Sequence, residues 1–382
     1  MRKAIAIIIL SSTMGWAFGQ KNNVQSASNS FKYKEYGEAK KYIDLAAAHP
    51  KTANAPKMWY YRGRIYLSIH EKKSSLDPEA ITKSINSLMT CLDVDKSKMY
   101  ADSSSVYLMN GAIQCFISGV HEYQAKEYTK ASELYELVLK TLEYDKNKDL
   151  ARNNVSEKTI YLNLYYAANA SKDNVKSKKY LDKLIDLGYN DANIYLFMCQ
   201  ILLEENDTVN ALAYIEKGRE RFYDDKNLIL QQVSLSIKMG KSDALLKRMT
   251  EDIEYDSGNP TLFLVRGILY EQNGNKEGAK KDYLEALELN PGFFVAAYNL
   301  GAMFYSEAVE ILTAAKEIVD NDKYAKEKDK AIALFKEGIP HLEAALEIDP
   351  KDHDTAQRLV RMYARTGDTA KYDALKKKIE SM

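Results

Sequence analysis

The sequence predicts an all-α protein built from repeated helix pairs, because residues 263–291 contain two apolar stripes at helical spacing. Small residues lie on both stripes, so the two helix axes can approach closely while large rings fill the space around the contact. Gly274 and Asn275 supply a turn between the two helices. The stripes consist of Phe263, Gly267 and Tyr270 on the first helix and Ala279, Tyr283 and Ala286 on the second.

A period of 34 residues extends this pair into an array. Steps of that length from Leu162 reach only apolar residues, and the neighbouring column that starts at Tyr161 behaves in the same way. The two columns are Leu162, Leu196, Leu230, Leu264 and Tyr298, and Tyr161, Tyr195, Ile229, Phe263 and Ala297. Regular repeats are therefore expected over residues 158–293.

The pattern F-x-x-R-G-x-x-Y, followed by A-x-x-x-Y-x-x-A-x-x-x-x-P, resembles the tetratricopeptide repeat, a helix-turn-helix unit of 34 residues. The resemblance covers most of residues 31–382. It implies a right-handed superhelical α-solenoid of about eight units, degenerate ones included. Members of this family usually bind other proteins.

Degenerate repeats are expected upstream, over residues 31–157. Trp59, Gly63 and Tyr66 repeat the spacing of the best unit, with a longer turn around residues 70–80. Loops on a surface tolerate such insertions. Residues 101–145 fit one further unit with a long first helix.

Downstream, residues 294–352 are expected to form an elongated repeat and residues 353–382 a capping repeat with a Lys-rich end. The stretch from Gly301 to Pro350 is about twice as long as the matching stretch in the best unit, and its Ala, Lys and Glu content favours elongation of both helices. Pro340 is expected to kink or end the second of these helices, because proline removes a backbone donor.

Residues 1–19 have the three parts of a secretory signal peptide: Arg2 and Lys3, the apolar run from Ala4 to Leu10, and small residues before Gln20. The run is far shorter than the roughly 20 residues that span a bilayer, so no transmembrane segment is expected in the mature chain. Residues 20–30 are expected to be a polar linker. The expected location is the periplasm or the periplasmic side of the outer membrane, as in exported tetratricopeptide repeat proteins of gram-negative bacteria, which the chain resembles.

Composition argues against several functions. The 54 basic and 54 acidic residues are interspersed, which disfavours nucleic-acid binding. The five histidines form no metal-ligand pair, no nucleophile motif is present, and Gly240-Lys241-Ser242 lacks the earlier glycine of a phosphate-binding loop. No enzyme activity, metal or cofactor is therefore expected. Cys91, Cys115 and Cys199 are expected to be buried free thiols, although a disulfide stays possible in an exported protein.

In the family that the chain resembles, one face of each first helix lines a concave groove. Carried over column by column, a largely apolar groove with aromatic ends would bind a protein or peptide segment. The alternative is that neighbouring helices bury this column. The predicted groove residues are Tyr60, Arg64, Leu162, Tyr166, Leu196, Gln200, Leu230, Leu264, Ile268, Tyr298 and Tyr305.

The family's carboxylate clamp for chaperone tails requires five polar residues. The matching columns hold Leu264, Ile268, Asn299, Asp354 and Arg358, so three of them depart and chaperone-tail binding is not expected. The sequence thus predicts a non-enzymatic scaffold that binds a protein or peptide within a cell-envelope complex. The alternative is an envelope protein that uses its tyrosines to bind glycan or peptidoglycan.

Overall fold

The computed structural model describes residues 22–379, which contain helices and turns and no strand. The contacts divide the chain into two compact units, unit 1 up to Ile194 and unit 2 from Tyr195. Unit 1 contains α1 (22–32), α2 (Tyr36–Ala47), α3 (Pro56–Lys73), α4 (Ala80–Val94), α5 (Ala101–Gln124), α6 (Tyr128–Thr141), α7 (Asp149–Arg152), α8 (Glu157–Ala170) and α9 (Asn174–Asp186).

Helix α10 (Asn193–Glu204) contains the boundary between the units. Unit 2 continues with α11 (Thr208–Arg221), α12 (Lys226–Lys238), α13 (Ser242–Tyr255), α14 (Pro260–Gln272), α15 (Lys276–Leu289), α16 (Phe294–Ala315), α17 (Asn321–Ile348), α18 (His353–Thr366) and α19 (Thr369–Ile379). Short 3-10 turns follow α3 and α6.

Successive helices pack as pairs, including α3 with α4, α5 with α6 and α8 with α9 in unit 1. In unit 2 the pairs include α14 with α15, α16 with α17 and α18 with α19. Below, the earlier helix of a pair is called its first helix and the later one its second helix. The predicted all-α fold of helix pairs is confirmed.

The turn between α14 and α15 shows how sequence sets a pair. Gly274 has a φ of +76°, a left-handed conformation that favours glycine, and the side chain of Asn275 accepts a hydrogen bond from the Gly278 amide at 3.0 Å. At the crossing itself, a Cβ built on Gly267 would lie 2.7 Å from the ring of Tyr283. The glycine therefore permits the close approach that the sequence predicts.

The same close approach recurs in both units. A Cβ on Gly63 would lie 2.4 Å from Leu88, one on Gly119 would lie 2.6 Å from Tyr135, and one on Gly301 would lie 2.5 Å from Leu342. Each glycine lies on a first helix and each neighbour on the paired second helix. The register predicted from the sequence is therefore present at the degenerate and elongated pairs as well.

Three expectations need correction. Residues 22–32 form a helix rather than a polar linker, because Val24 and Ala27 are buried in a core with α2 and α3. The insertion near residues 70–80 is not all loop, since α3 continues to Lys73. Of the two effects expected of Pro340, ending the helix is wrong, because α17 continues to Ile348, whereas a kink stays a prediction.

The elongation of α16 and α17, to 22 and 28 residues, is confirmed. The expected signal peptide, residues 1–19, lies outside the described residues, as does the end of the Lys-rich cap. Within residues 22–379 no helix carries an apolar stretch long enough to span a bilayer.

Buried tyrosines add polar links to this apolar core. Tyr66 donates a hydrogen bond to Asp44 at 2.7 Å, Tyr180 to Glu136 at 2.7 Å, Tyr283 to Glu271 at 2.8 Å and Tyr363 to Glu343 at 2.7 Å. Burial, together with the neighbouring carboxylate, raises the pKa of each of these hydroxyls above its ordinary value. The hydroxyls therefore remain protonated donors to the carboxylates.

Candidate partner-binding face

The predicted groove residues all lie on first helices, on a surface that we call the first-helix face of each unit. In unit 1, α3 carries Tyr60 and Arg64, and α8 carries Leu162 and Tyr166. In unit 2 the helices α10, α12, α14 and α16 carry Leu196 and Gln200, Leu230, Leu264 and Ile268, and Tyr298 and Tyr305.

In unit 1, Arg64 lies among aromatic rings from three helices. Its guanidinium carbon is 5.2 Å from the Tyr60 ring centroid, 4.8 Å from that of Tyr107 and 5.4 Å from that of Phe31. The ring of Tyr100 packs against Tyr60 with centroids 5.0 Å apart. These five residues are called the Arg64 cluster. Its rings attract the cation through their negative faces and restrict where the guanidinium can lie.

The charge of Arg64 has no carboxylate partner in the described part of the chain. One terminal nitrogen donates to the Tyr60 hydroxyl at 3.2 Å, while the Nε is buried without a hydrogen-bond partner. Its neighbour Arg62 differs, since Asp44 lies 3.4 Å away. Arg64 therefore retains donors and a net positive charge at a half-buried position.

In unit 2, Arg358 of α18 brings Tyr298 and Tyr305 together. Its guanidinium carbon lies 5.5 Å from the ring centroid of Tyr298 and 5.6 Å from that of Tyr305. The ring of Phe294 stacks on Tyr298 with centroids 6.0 Å apart. Asp354 accepts hydrogen bonds from the Tyr298 hydroxyl and, at 3.1 Å, from the Arg358 Nε. These residues are called the Arg358 cluster.

The Asp354 carboxylate neutralises the Arg358 cluster. The Tyr298 hydroxyl bond, and then the Arg358 guanidinium, lower the pKa of Asp354 below its ordinary value despite some burial. Burial and the bond to Asp354 raise the pKa of Tyr298. The acid is thus ionised and the phenol neutral over the physiological range, so the two form a stable pair.

The middle of the predicted groove differs from its ends. Leu264 is fully buried in the core cluster of unit 2, so its assignment to an open groove is wrong. The reason is that Leu264 lies in a core that residues of α12 and α16 share with α14. Leu230 and Ile268 are half-buried and pack against the same core. In this part of unit 2 the alternative expectation, a column buried by neighbouring helices, describes the structure.

The remaining predicted residues are more open. Leu162 and Leu196 are half-buried, whereas Tyr166 and Gln200 are exposed. Tyr166 packs against the ring of Tyr165, and Gln200 donates to Glu204 of its own helix at 3.3 Å. Neither forms a cluster comparable to those around Arg64 and Arg358. Partner binding by these residues stays a prediction.

Sequence reasoning missed Phe31, Tyr100 and Tyr107, and it used Arg358 and Asp354 only to argue against the chaperone clamp. Phe31 falls at the edge of the expected linker, and Tyr107 lies on the long helix α5, where the 34-residue step does not apply. The sequence did contain one indication of the Arg358 cluster: Asp354 and Arg358 have i, i+4 spacing, which places an acid and a base side by side on one helix.

Residues 22–379 contain no group of three or more His, Cys, Asp or Glu side chains placed to hold a metal. All three cysteines are buried free thiols, as the sequence predicts, and burial raises the pKa of Cys115 to about 12. Such thiols are protonated and poor nucleophiles.

Comparison with known proteins agrees with the repeat pattern. The tetratricopeptide repeat family model matches residues 260–293. No curated protein matches the sequence. A TPR repeats protein from Bacteroides fragilis is 22% identical, with 66% of this chain and 98% of that chain covered and a TM-score of 0.33.

Two other solved structures are similar at lower identity. YrrB, described as a TPR protein with an unusual peptide-binding site, is 17% identical over 56% of this chain and 96% of its own, with a TM-score of 0.33. The human IFIT1 dimer with m7Gppp-AAAA is 14% identical over 85% of this chain and 68% of its own, with a TM-score of 0.41. The family-model match identifies a tetratricopeptide repeat at residues 260–293, and the predicted resemblance of the chain to that family is confirmed.

Proposed function

We propose that this protein is a non-enzymatic scaffold that binds a segment of another protein on its first-helix face, within a cell-envelope complex. A repeat of this family supports a binding role, because stacked helix pairs present extended surfaces to partners. Both the Arg64 cluster and the Arg358 cluster contain predicted groove residues, which supports the choice of the first-helix face.

The observation that carries the proposal is the Arg64 cluster. Tyrosine, tryptophan and arginine are enriched among the few residues that dominate binding energy at protein interfaces. Arg64 is already held by three rings, so a partner carboxylate would gain a charged hydrogen bond without the entropy cost of ordering this side chain. No residue within 22–379 supplies such a carboxylate to Arg64.

Binding of glycan or peptidoglycan is the second candidate, and we place it below peptide binding. Glycan recognition by tyrosines needs free ring faces and free hydroxyls. Here Tyr66, Tyr180, Tyr283 and Tyr363 donate to internal carboxylates, and the rings of Tyr60 and Tyr107 face Arg64. These tyrosines have structural roles that leave little for a sugar to contact.

The envelope location rests only on the sequence of residues 1–19. We propose export because a basic start, an apolar run and small residues before Gln20 form the pattern of a cleaved leader. Fractionation of cells and mass spectrometry of the mature N-terminus test this. A protein that remains in the cytoplasm with Met1 intact would contradict the location without affecting the binding proposal.

Site-specific photocrosslinking tests the binding face. Ser103 is exposed on α5, one helical turn before Tyr107, so a benzoylphenylalanine there would lie beside the Arg64 cluster. The same probe at Glu133, exposed on the second helix α6, is the matched control. In cells we expect a protein adduct from position 103 that is absent from position 133.

The proposal also requires that the adduct depend on Arg64. Arg64→Ala should reduce the yield at position 103 about tenfold or more, as expected for loss of a charged contact at an interface. Equal adducts from both positions, or full yield in the Arg64→Ala variant, would contradict the proposed face. An adduct that contains sugar and no peptide would favour the glycan alternative.

A further inference from the structure

The elongated pair α16 and α17 leaves a cavity beside the shorter pair α18 and α19 in unit 2. Helix α16 has 22 residues and α18 has 14, so α16 is eight residues, or about 12 Å, longer. Their N-terminal ends are level, because Tyr298 in the second turn of α16 contacts Asp354 and Arg358 in the first two turns of α18. The last turns of α16 therefore extend beyond α18.

The cavity lies along this extension and has a volume of about 490 Å³. Its apolar lining comes from Leu312 of α16, Phe335 of α17 and Val360 of α18, and Tyr305 of the Arg358 cluster also lines it. Val309 at its edge is 37% exposed. An apolar surface of this kind, continuous with the first-helix face, can accept an apolar side chain of a partner.

The polar lining of the cavity has one sign of charge. Lys316, Arg361 and Arg365 line it, and no carboxylate does. All three cations are exposed, and none forms an ion pair within the part of the chain that the structure describes. Arg358, one turn before Arg361 on the same helix, is paired with Asp354. The cavity therefore differs in charge from the neighbouring cluster.

Helix ends explain only part of this charge. Lys316 caps the C-terminus of α16 and Arg365 lies in the last turn of α18, where a cation interacts favourably with the helix dipole. Arg361 lies in the middle of α18, outside the last turn. Its position beside the other two makes the edge of the cavity basic, which suits an anionic group.

We propose that this cavity binds an acidic segment of the partner protein, with an apolar side chain between Leu312 and Val360 and carboxylates at Arg361, Arg365 and Lys316. The inference rests on the proposed function, because it names the chemistry of the bound segment. Charge complementarity selects this occupant: a basic or neutral segment would leave the three cations unpaired.

Fluorescence anisotropy with the full chain tests the inference. The probe is a fluorescein-labelled peptide of Leu, Phe and Glu with an amidated C-terminus, so that no terminal carboxylate contributes. The control peptide carries Gln in place of each Glu. We expect binding of the Glu peptide to be at least about tenfold tighter and to weaken with added salt, as ion pairs at an exposed site do.

Charge reversal locates the site. Arg361→Glu with Arg365→Glu should weaken binding of the Glu peptide about tenfold or more, whereas Arg361→Lys with Arg365→Lys should retain most of it. The matched control is Lys247→Glu with Lys281→Glu, two exposed lysines on the second helices α13 and α15. Helical content and melting temperature of every variant confirm that it folds.

Equal binding of the Glu and Gln peptides, no binding of either, or equal weakening by both pairs of charge reversals would overturn the inference. None of these results would contradict crosslinking from position 103. That position lies in unit 1, and its adduct tests the proposed function separately. Loss of that adduct with retained, charge-dependent peptide binding would contradict the binding face and leave the chemistry of the cavity in place.

Discussion

Arg64 of unit 1 differs from two arginines of unit 2 in how its charge is neutralised. In unit 1, Arg64 contacts three aromatic rings and no carboxylate of the described chain. In unit 2, Arg266 lies 5.7 Å from the rings of both Phe263 and Tyr270, and Arg358 lies between Tyr298 and Tyr305, but each also pairs with an aspartate. Aromatic rings hold a guanidinium in place, whereas a carboxylate decides whether its charge is satisfied internally.

The two aspartates of unit 2 also differ from each other. Asp282 is 1% exposed and accepts two hydrogen bonds from Arg266, each at 2.7 Å. Those bonds raise the pKa of Arg266 against the opposing effect of burial. Asp354 is instead an exposed residue of α18. The three arginines therefore form a series, from a buried pair through an exposed pair to a cation without a carboxylate.

The largest effect is expected from Asp282→Ala. The substitution leaves Arg266 unpaired at a site where its side chain is 16% exposed, and loss of one partner of a buried ion pair costs about 3 to 5 kcal/mol. Chemical unfolding of the variant, followed by circular dichroism, measures this. Asp354→Ala should cost less than about 1 kcal/mol, because exposed pairs contribute little.

A double substitution separates the ion pair from the space that it fills. Arg266→Met with Asp282→Leu replaces both charges by apolar side chains of similar size, and such replacements are often neutral or stabilising. The double variant should recover most of the stability lost in Asp282→Ala. If Asp282→Ala alone unfolds like the wild type, the buried pair of Asp282 contributes no more stability than the exposed pair of Asp354. The series of three arginines would then be wrong.

Removal of Arg64 is expected to have a smaller effect on stability. Arg64→Ala loses contacts with three rings but leaves no carboxylate unpaired, so the expected cost is about 1 to 2 kcal/mol. Arg64→Lys should lie between Ala and the wild type, because an ammonium lacks the planar group that stacks on rings. Thermal melts of the three proteins test this order. A cost equal to that of Asp282→Ala would indicate a structural anion partner for Arg64.

The fold was predictable from the sequence because its period and its small residues report on contacts between neighbouring helices. Gly267 and Tyr283 were placed opposite each other by spacing alone, and the structure brings them into contact. Periodicity, however, gives only the angle of a residue around its helix. It does not show whether a neighbouring helix or solvent lies at that angle. Leu264 has the expected angle but is buried in a core that also contains residues of α12 and α16.

The clusters were less predictable because their members are far apart in sequence or lie in irregular pairs. Arg358 is 60 residues from Tyr298, and most of the elongated α16 and all of α17 lie between them. Tyr107 approaches Arg64 from α5, whose 24 residues depart from the regular repeat. Pairings of this kind depend on helix lengths and on how neighbouring pairs pack, which a column of a regular repeat does not specify.

A carboxylate added to unit 1 should convert its cluster to the type found in unit 2. Ser68 lies on α3, one turn after Arg64, and Ser68→Glu places a carboxylate at i+4 spacing. We expect a gain of about 0.2 kcal/mol in stability, at the low end for such helical pairs because the cation precedes the acid along the helix. At the same time the crosslink from position 103 should weaken, because the partner then competes with an internal acid.

The control is Ser68→Gln, which has a similar shape and no charge. Equal crosslinking by Ser68→Gln and the wild type, with a loss only in Ser68→Glu, would support the view that the unneutralised charge of Arg64 recruits the partner. Undiminished crosslinking in Ser68→Glu would contradict it.

The smallest expected effect is a loss of stability at acidic pH. Of the two clusters, only the Arg358 cluster should show it. Its Tyr298 hydroxyl and Arg358 guanidinium lower the pKa of Asp354, so the stability from this pairing is present above the ordinary aspartate range and is lost as the pH falls through the lowered pKa. Carbon-detected NMR of the Asp354 carboxyl should give a pKa below the ordinary value of about 3.9. Tyr298→Phe should raise it, because the strongest donor is removed.

The same titration compares the two units directly. The stability difference between wild type and Arg358→Ala should shrink as the pH falls below the ordinary aspartate pKa of about 3.9 and Asp354 becomes protonated. The difference between wild type and Arg64→Ala should change less, because no carboxylate of the described chain contacts Arg64. Equal acid dependence in both variants would mean that the Arg64 cluster contains a titrating partner, and the distinction between an internally paired and an unpaired arginine would fail.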